Sequence, residues 1–264
     1  MNKLSIFSIS ILILSSCLQR QVPDAKYNVN CPVRSIDVTC SKGEFNHTLH
    51  FNRAGKLVLG EYRNEDGSFR FRNEYELDSL GRVSGMHVVN ASGQTESIYS
   101  YEYDGDFVSE CILLGMNNEH VHCWYHINDG EHIVRSEITN EDTPAFVVTR
   151  SYDGDMCRET TLDAENGDTL GVSSIASLPD GRIVSVHSDN MAVSVEYDQS
   201  GLPISSMNTS LDSEGNIIWD KDLAKSPVRS FRYDFDRRGN WITRKEYSHS
   251  DSIEVAVIRR EIRY

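Results

Sequence analysis

Eight times along the chain a short apolar or aromatic pair runs into a glycine turn, and two residues past the glycine stands another, mostly bulky apolar, residue. The glycines are Gly55, Gly81, Gly105, Gly130, Gly154, Gly181, Gly201 and Gly239, separated by 26, 24, 25, 24, 27, 20 and 38 residues. The clearest copies are Tyr75 to Val83, Tyr101 to Phe107 and Tyr233 to Trp241. Repetition at this spacing constrains architecture more than any single residue does.

The pairs Leu49/Phe51, Tyr75/Leu77, Tyr101/Tyr103, Tyr125/Ile127, Val195/Tyr197 and Tyr233/Phe235 stand two residues apart, so each pair shares one face of a strand. About twelve residues beyond each turn glycine lies a second polar turn, such as Glu65-Asp66-Gly67 or Ala91-Ser92-Gly93. Each repeat is therefore two strands and two turns, and no stretch carries a helical stripe with caps. The chain is expected to be all-β, an antiparallel meander of repeated β-hairpins with its aromatic stripe on the sheltered face. Roughly sixteen to eighteen strands follow, more than an open twisted sheet usually holds without curling. The expected form is a long curved single-layer sheet or an incomplete barrel. Departures near Pro179 and Pro203 leave the strand register of residues 178–225 open.

The N-terminus carries a different signal. Met1-Asn2-Lys3 supplies a positive charge, and Leu4 to Leu14 is an apolar run broken only by serines. A bilayer-spanning helix needs about 20 apolar residues, so this shorter run reads as a targeting segment. Leu14-Ser15-Ser16-Cys17 resembles the lipobox of bacterial lipoproteins. That resemblance implies a signal peptide over residues 1–16 and acylation of Cys17, with the membrane reached through lipid alone and the outer membrane as the expected address. Residues 17–30 read as a lipidated tether and 31–264 as a single β-hairpin-repeat domain. Loss of Lys3 shifts the formal net charge from -14 to -15. Such an acidic chain is a poor candidate for nucleic acid or anionic lipid, because phosphate contacts need Lys and Arg.

Five further cysteines remain, in a compartment that permits disulfides. Cys111 and Cys123 flank a midpoint at residue 117 in the Met116-Asn117-Asn118 turn, which predicts a cross-strand disulfide. A second is expected between Cys31 and Cys40, leaving Cys157 as a free thiol.

Two constellations suggest ligands. On a strand His120, His122 and His126 share one face, which is a geometry for zinc, with His132 beyond the turn on the opposite side. Asp104-Gly105-Asp106 and Asp153-Gly154-Asp155 are acidic turns in which calcium competes with plain turn chemistry. No nucleophile elbow, zinc-protease helix, phosphate loop or dinucleotide fingerprint occurs, so no catalytic residue and no cofactor are nominated. Most aromatics, Trp241 included, are expected to fill the stripe; Trp219 lies outside the pattern and is the candidate ligand contact.

The elements Tyr101-Glu102-Tyr103-Asp104-Gly105, Ser151-Tyr152-Asp153-Gly154 and the block from Tyr233 to Arg244, followed by Arg259 to Tyr264, resemble YD-repeat, RHS-like lipoproteins and sugar-binding-like repeat proteins. The resemblance covers most of residues 48–264. It implies a non-enzymatic envelope protein that binds a glycan or another envelope protein. It also admits an immunity or accessory protein for an RHS-type toxin, and the histidine strand admits a metal-handling lipoprotein.

Overall fold

The structure, a computed structural model, describes residues 29, 32–42, 46–115, 120–140, 143–180, 182–188, 191–211, 228–248 and 253–264. Eighteen strands lie among them. The first nine are β1 (Ser35–Cys40), β2 (Asn46–Phe51), β3 (Leu57–Arg63), β4 (Phe69–Leu77), β5 (Val83–Asn90), β6 (Thr95–Asp104), β7 (Phe107–Leu114), β8 (His120–Asn128) and β9 (Ile133–Asn140). The second nine are β10 (Thr143–Asp153), β11 (Met156–Asp163), β12 (Thr169–Ser177), β13 (Ile183–Ser188), β14 (Met191–Tyr197), β15 (Pro203–Ser210), β16 (Val228–Phe235), β17 (Trp241–Ser248) and β18 (Ile253–Arg263).

Each strand pairs antiparallel with the next, and β18 pairs with β1 from Ser35↔Arg263 to Cys40↔Ile258. The sheet is thus a closed barrel, not the open sheet or incomplete barrel expected from sequence. The physical reason is edge satisfaction: a meander leaves two unpaired edges unless twist and bulges curl it until its ends meet. Pro179 and Pro203 do not break the pattern. Leu178 donates to Arg182 O at 2.8 Å across the first turn, and Pro203 begins β15. The long interval between Gly201 and Gly239 contains residues 212–227, which lie outside the described set.

The turns at Gly55, Gly81, Gly201 and Gly239 are three-residue loops closed by a left-handed glycine, whereas those at Gly105 and Gly154 are two-residue loops. In the turn between β4 and β5, Asp78 N donates to Arg82 O at 2.8 Å and Gly81 N to Asp78 O at 3.0 Å, with Gly81 at φ +76°. The Asp78 carboxylate accepts from Leu80 N and Arg82 N, which satisfies the loop's own amides. Asn52, Asp198 and Asp236 do the same in their turns. A register shift accompanies each of these turns, as the added residue requires.

The tyrosine ahead of the turn joins one hairpin to the previous one. Tyr103 donates its hydroxyl to Val83 O at 2.7 Å, Tyr152 to Ile133 O at 3.0 Å, Tyr197 to Ile183 O at 2.9 Å and Tyr233 to Pro203 O at 2.9 Å. Arg82, paired with Asp78 at 2.7 Å, lies 4.0 Å over the Tyr103 ring, and Arg182, paired with Asp180, lies 4.8 Å over Tyr197. The recurring Tyr, Asp, Gly and Arg are therefore a repeated contact between hairpins as well as a turn signal.

Directly opposed residues share a face, so the register sorts the barrel's two surfaces. One surface carries Ile36 and Leu49, both 0% exposed, with Tyr62, Phe71, Tyr75, Tyr99, Tyr101, Cys111 and Trp124. The other carries Glu61, Arg72, Glu74, Glu76, Glu102 and Glu110. The burial contrast makes the first the concave interior. Inside, Val33, Ile36, Val38, Leu202, Trp241 and Ile258 form the core beside the closing seam. Trp241 is 4% exposed and meets Tyr233 edge-on at 5.9 Å, as the stripe predicts.

Candidate functional site

Among the described residues, a concentrated polar site lies in the interior on β8 to β11, apart from the Arg244–Glu246 pair and Arg260 near the seam. His126, Ser136, Arg150 and Glu159 all point inward, because Ser136 stands opposite both His126 and Val148, and Arg150 opposite Glu159. Arg150 Nε donates to Glu159 Oε2 at 3.0 Å, and both side chains are 4% exposed. Arg150 Nη1 donates to Ser136 Oγ at 2.7 Å, and His126 Nδ1 lies 2.9 Å from the same oxygen. Arg150 Nη2 is buried and meets no hydrogen-bond partner among the described residues.

Electrostatics follow from burial. Desolvation, and then the Arg150 charge, push His126 down to about 4, so its ring is neutral near pH 7. A neutral ring lets Ser136 donate to Nδ1 while accepting from Arg150. Burial raises Glu159, with Arg150 pulling the other way, and burial raises the Cys157 thiol. The Ser136–His126 pair has the distance of a nucleophile and its base, but Ser136 is 0% exposed, so its hydroxyl is out of reach of a dissolved substrate. The arrangement acts as an internal polar clamp across four strands. None of its members except His126 stands out in sequence; the available signal was a charge at stripe positions, Arg150 between Val148 and Tyr152, and Glu159 two residues past Cys157.

The histidine strand is not the regular array expected. A register shift between Leu113 and Leu114 sets His122 opposite Leu113 and His120 opposite Leu114, so alternation fails between them. His122 tilts against Trp124 at 5.6 Å, and His132 stacks on Tyr152 at 4.0 Å. Among the described residues no three His, Cys, Asp or Glu side chains converge as a metal site. In the acidic turns, Asp104 accepts from Asn128 Nδ2 at 2.9 Å.

The Cys111–Cys123 disulfide is also overturned. Cys111 stands opposite Trp124 and Cys123 opposite Ile112, so the two lie on opposite faces of the wall. Cys111 faces inward, whereas Cys123 points outward to Glu110 Oε1 at 3.5 Å. No disulfide occurs among the described residues. Cys157 is buried, and Cys40 donates to Lys42 O at 2.8 Å. Cys17, Cys31 and Trp219 lie outside the described residues.

The outer wall decides what surrounds the barrel. Glu74 and Glu137 are 47% and 48% exposed, Arg135 41% and Glu76 66%. A lipid-facing wall needs an apolar outward band, and Arg or Lys at the bilayer midplane costs about 2–4 kcal/mol each. This wall alternates largely in the opposite sense, with aromatics inside and many charges outside. A shallow recess of about 300 Å³ lies where the chain enters the barrel, between Val29, Pro32, Val33, Phe51, Arg53 and Gly55.

No family model and no curated protein matches the chain. Among solved structures it is similar to a porin-like protein from Bacteroides uniformis, with 12% identity, a TM-score of 0.42 and 88% of this chain and 98% of that one covered. A porin-like protein from Bacteroides vulgatus gives 9%, 0.38, and 88% and 98%. The TcdB2-TccC3 structure gives 11% and 0.28, covering 80% of this chain and 15% of that one.

Proposed function

We propose that this chain is a non-enzymatic protein of the bacterial cell envelope, held to a membrane by lipid on Cys17 and offering its closed barrel as a binding or interaction surface. The observation that carries this reading is the inverted wall: charges outward, aromatics and an ion pair inward. Such a wall suits a barrel that stands in water, so attachment to a membrane falls to the N-terminal lipid. Separate apolar clusters on the inner face, around Ile258 and Ile175 at 1% exposed each, support a scaffold role for the wall. Partners, a glycan or another envelope protein, would then meet the outer wall. There Tyr125 and Ile127 of β8 are 45% and 51% exposed, an apolar and aromatic face of the kind that stacks on sugar rings.

The test is fractionation of cells carrying Cys17→Ala. A lipid-held barrel leaves the membrane fraction or remains as uncleaved precursor. A normal mature mass with unchanged, carbonate-resistant membrane association would mean that the wall itself is inserted, and the reading would fail.

A further inference from the structure

The end of the barrel that carries the glycine turns is electrically polarised. Nine positions surround it: eight hairpin turns and the seam where β18 meets β1. Arg34 and Arg263 stand at the seam, joined through Arg34 N to Arg263 O at 2.7 Å. Arg237 and Arg238 occupy the turn on one side of it, and Arg53 and Lys56 the turn on the other. Arg34, Arg53, Arg237, Arg238 and Arg263 are exposed. Half the ring away, the turns after β6, β8 and β10 carry the exposed acids Asp104, Asp106, Asp129, Glu131, Asp153 and Asp155.

Acids within the basic sector are mostly occupied. Asp236 caps its own turn and accepts from the Tyr264 hydroxyl, Asp78 is paired with Arg82, and Asp37 meets Arg263 at 3.1 Å. With Asp37, Asp236 and Glu261 counted against Arg34, Arg53, Lys56, Arg237, Arg238 and Arg263, the sector stays positive. The chain enters the barrel here: Ser35 pairs with Arg263 and His50 at this end of β1. Sixteen peptide steps separate Val33 from Cys17, so an anchored lipid lies within about 55 Å of the basic sector.

We infer that this basic sector docks on the anionic phospholipid headgroups of the membrane that holds the tether, so that the barrel stands on its glycine-turn end, tilted with the acidic sector lifted away. The inference rests on the lipid-anchor reading and replaces an estimate from net charge with one from position. The acidity of the whole chain does not oppose docking, because charges beyond a Debye length of about 10 Å are screened. Each Lys or Arg near an anionic surface contributes about fivefold in partition, so two charges are expected to contribute on the order of 25-fold.

Arginine footprinting tests it. The acylated full-length mature protein, purified from membranes, is reconstituted on vesicles of phosphatidylcholine alone or with 30% phosphatidylglycerol, and treated with phenylglyoxal. On the anionic vesicles Arg53 and Arg237 should react several-fold more slowly, and 0.5 M salt should abolish the difference. Arg158 on the wall and Arg70 near the opposite end should react equally on both. In the variant Arg53→Gln/Arg237→Gln, the slowing should fade at the neighbouring Arg34. Equal rates on both vesicles at Arg53 and Arg237, or slowing at Arg70 instead, would overturn the inference. Failure of the underlying reading is read separately, as the absence of acyl mass on the Cys17 peptide.

Discussion

Arg150 and Glu159 place an ion pair in the interior, where its worth depends on both members being present. Arg150→Met leaves the carboxylate buried alone and should destabilise the protein by about 3–5 kcal/mol in chemical denaturation. Arg150→Met combined with Glu159→Leu should recover most of that loss, because two apolar side chains need no partner. His126 gives the site a pH signature. Its folded pKa is depressed to about 4 against about 6.5 unfolded, so its contribution is present above 6.5 and is lost as pH falls toward 4. Glu159, raised by burial, works in the opposite direction, so the signature appears as a difference between proteins. The stability of the wild type should fall more steeply than that of His126→Asn between pH 6.5 and 4, and parallel curves would show that His126 is not desolvated. This site was barely legible in sequence, since its four residues come from four strands and carry no local motif. The cysteines failed for a related reason. A one-residue register shift moves a side chain to the other face, and midpoint counting from Cys111 to Cys123 cannot register it.

At the scale of the hairpin the sequence was far more readable, because turn chemistry is local. An Asp or Asn that caps its own loop and a glycine at positive φ announce themselves within five residues, and glycines 55, 67, 81, 93, 105, 130, 154, 167, 201 and 239 all adopt that conformation. Gly81→Ala should therefore cost about 1–2 kcal/mol from backbone strain alone. An added Cβ there meets only the flexible Lys56 side chain at 3.4 Å. Gly171, in β12 without positive φ and with nothing within 4 Å of an added Cβ, provides the contrast, and Gly171→Ala should be neutral or slightly stabilising. Thermal unfolding of the two variants checks both, and equal losses would mean that the turn glycine is not special. What the pattern did not disclose is the link between hairpins. The tyrosine hydroxyl that reaches back to the preceding hairpin's carbonyl spans 14 to 30 residues, beyond any turn signature.

For the whole molecule, closure changes how damage spreads. In an open stack of repeats, loss of a terminal unit loosens its neighbours first. Here β18 is bonded to both β17 and β1, so Trp241 supports the first strands as well as the last. Trp241→Ala should cost about 3–5 kcal/mol, and hydrogen exchange should show lost protection in β1 to β3 together with β16 to β18. Loss confined to 230–264 would indicate a seam that opens easily. Closure itself was not legible, because it depends on the summed twist and bulging of all the strands rather than on any local residue. The seam reuses the device of the repeats: Tyr264 lies under Arg238, 3.7 Å from its guanidinium, and bonds Asp236 and Asn240, much as Tyr103 lies under Arg82. The hoop therefore has no privileged first stave. Joining Tyr264 to Val33 by a short linker and cutting the chain at Gly67 or Gly93 would give circular permutants with the same ring, each beginning at a different hairpin.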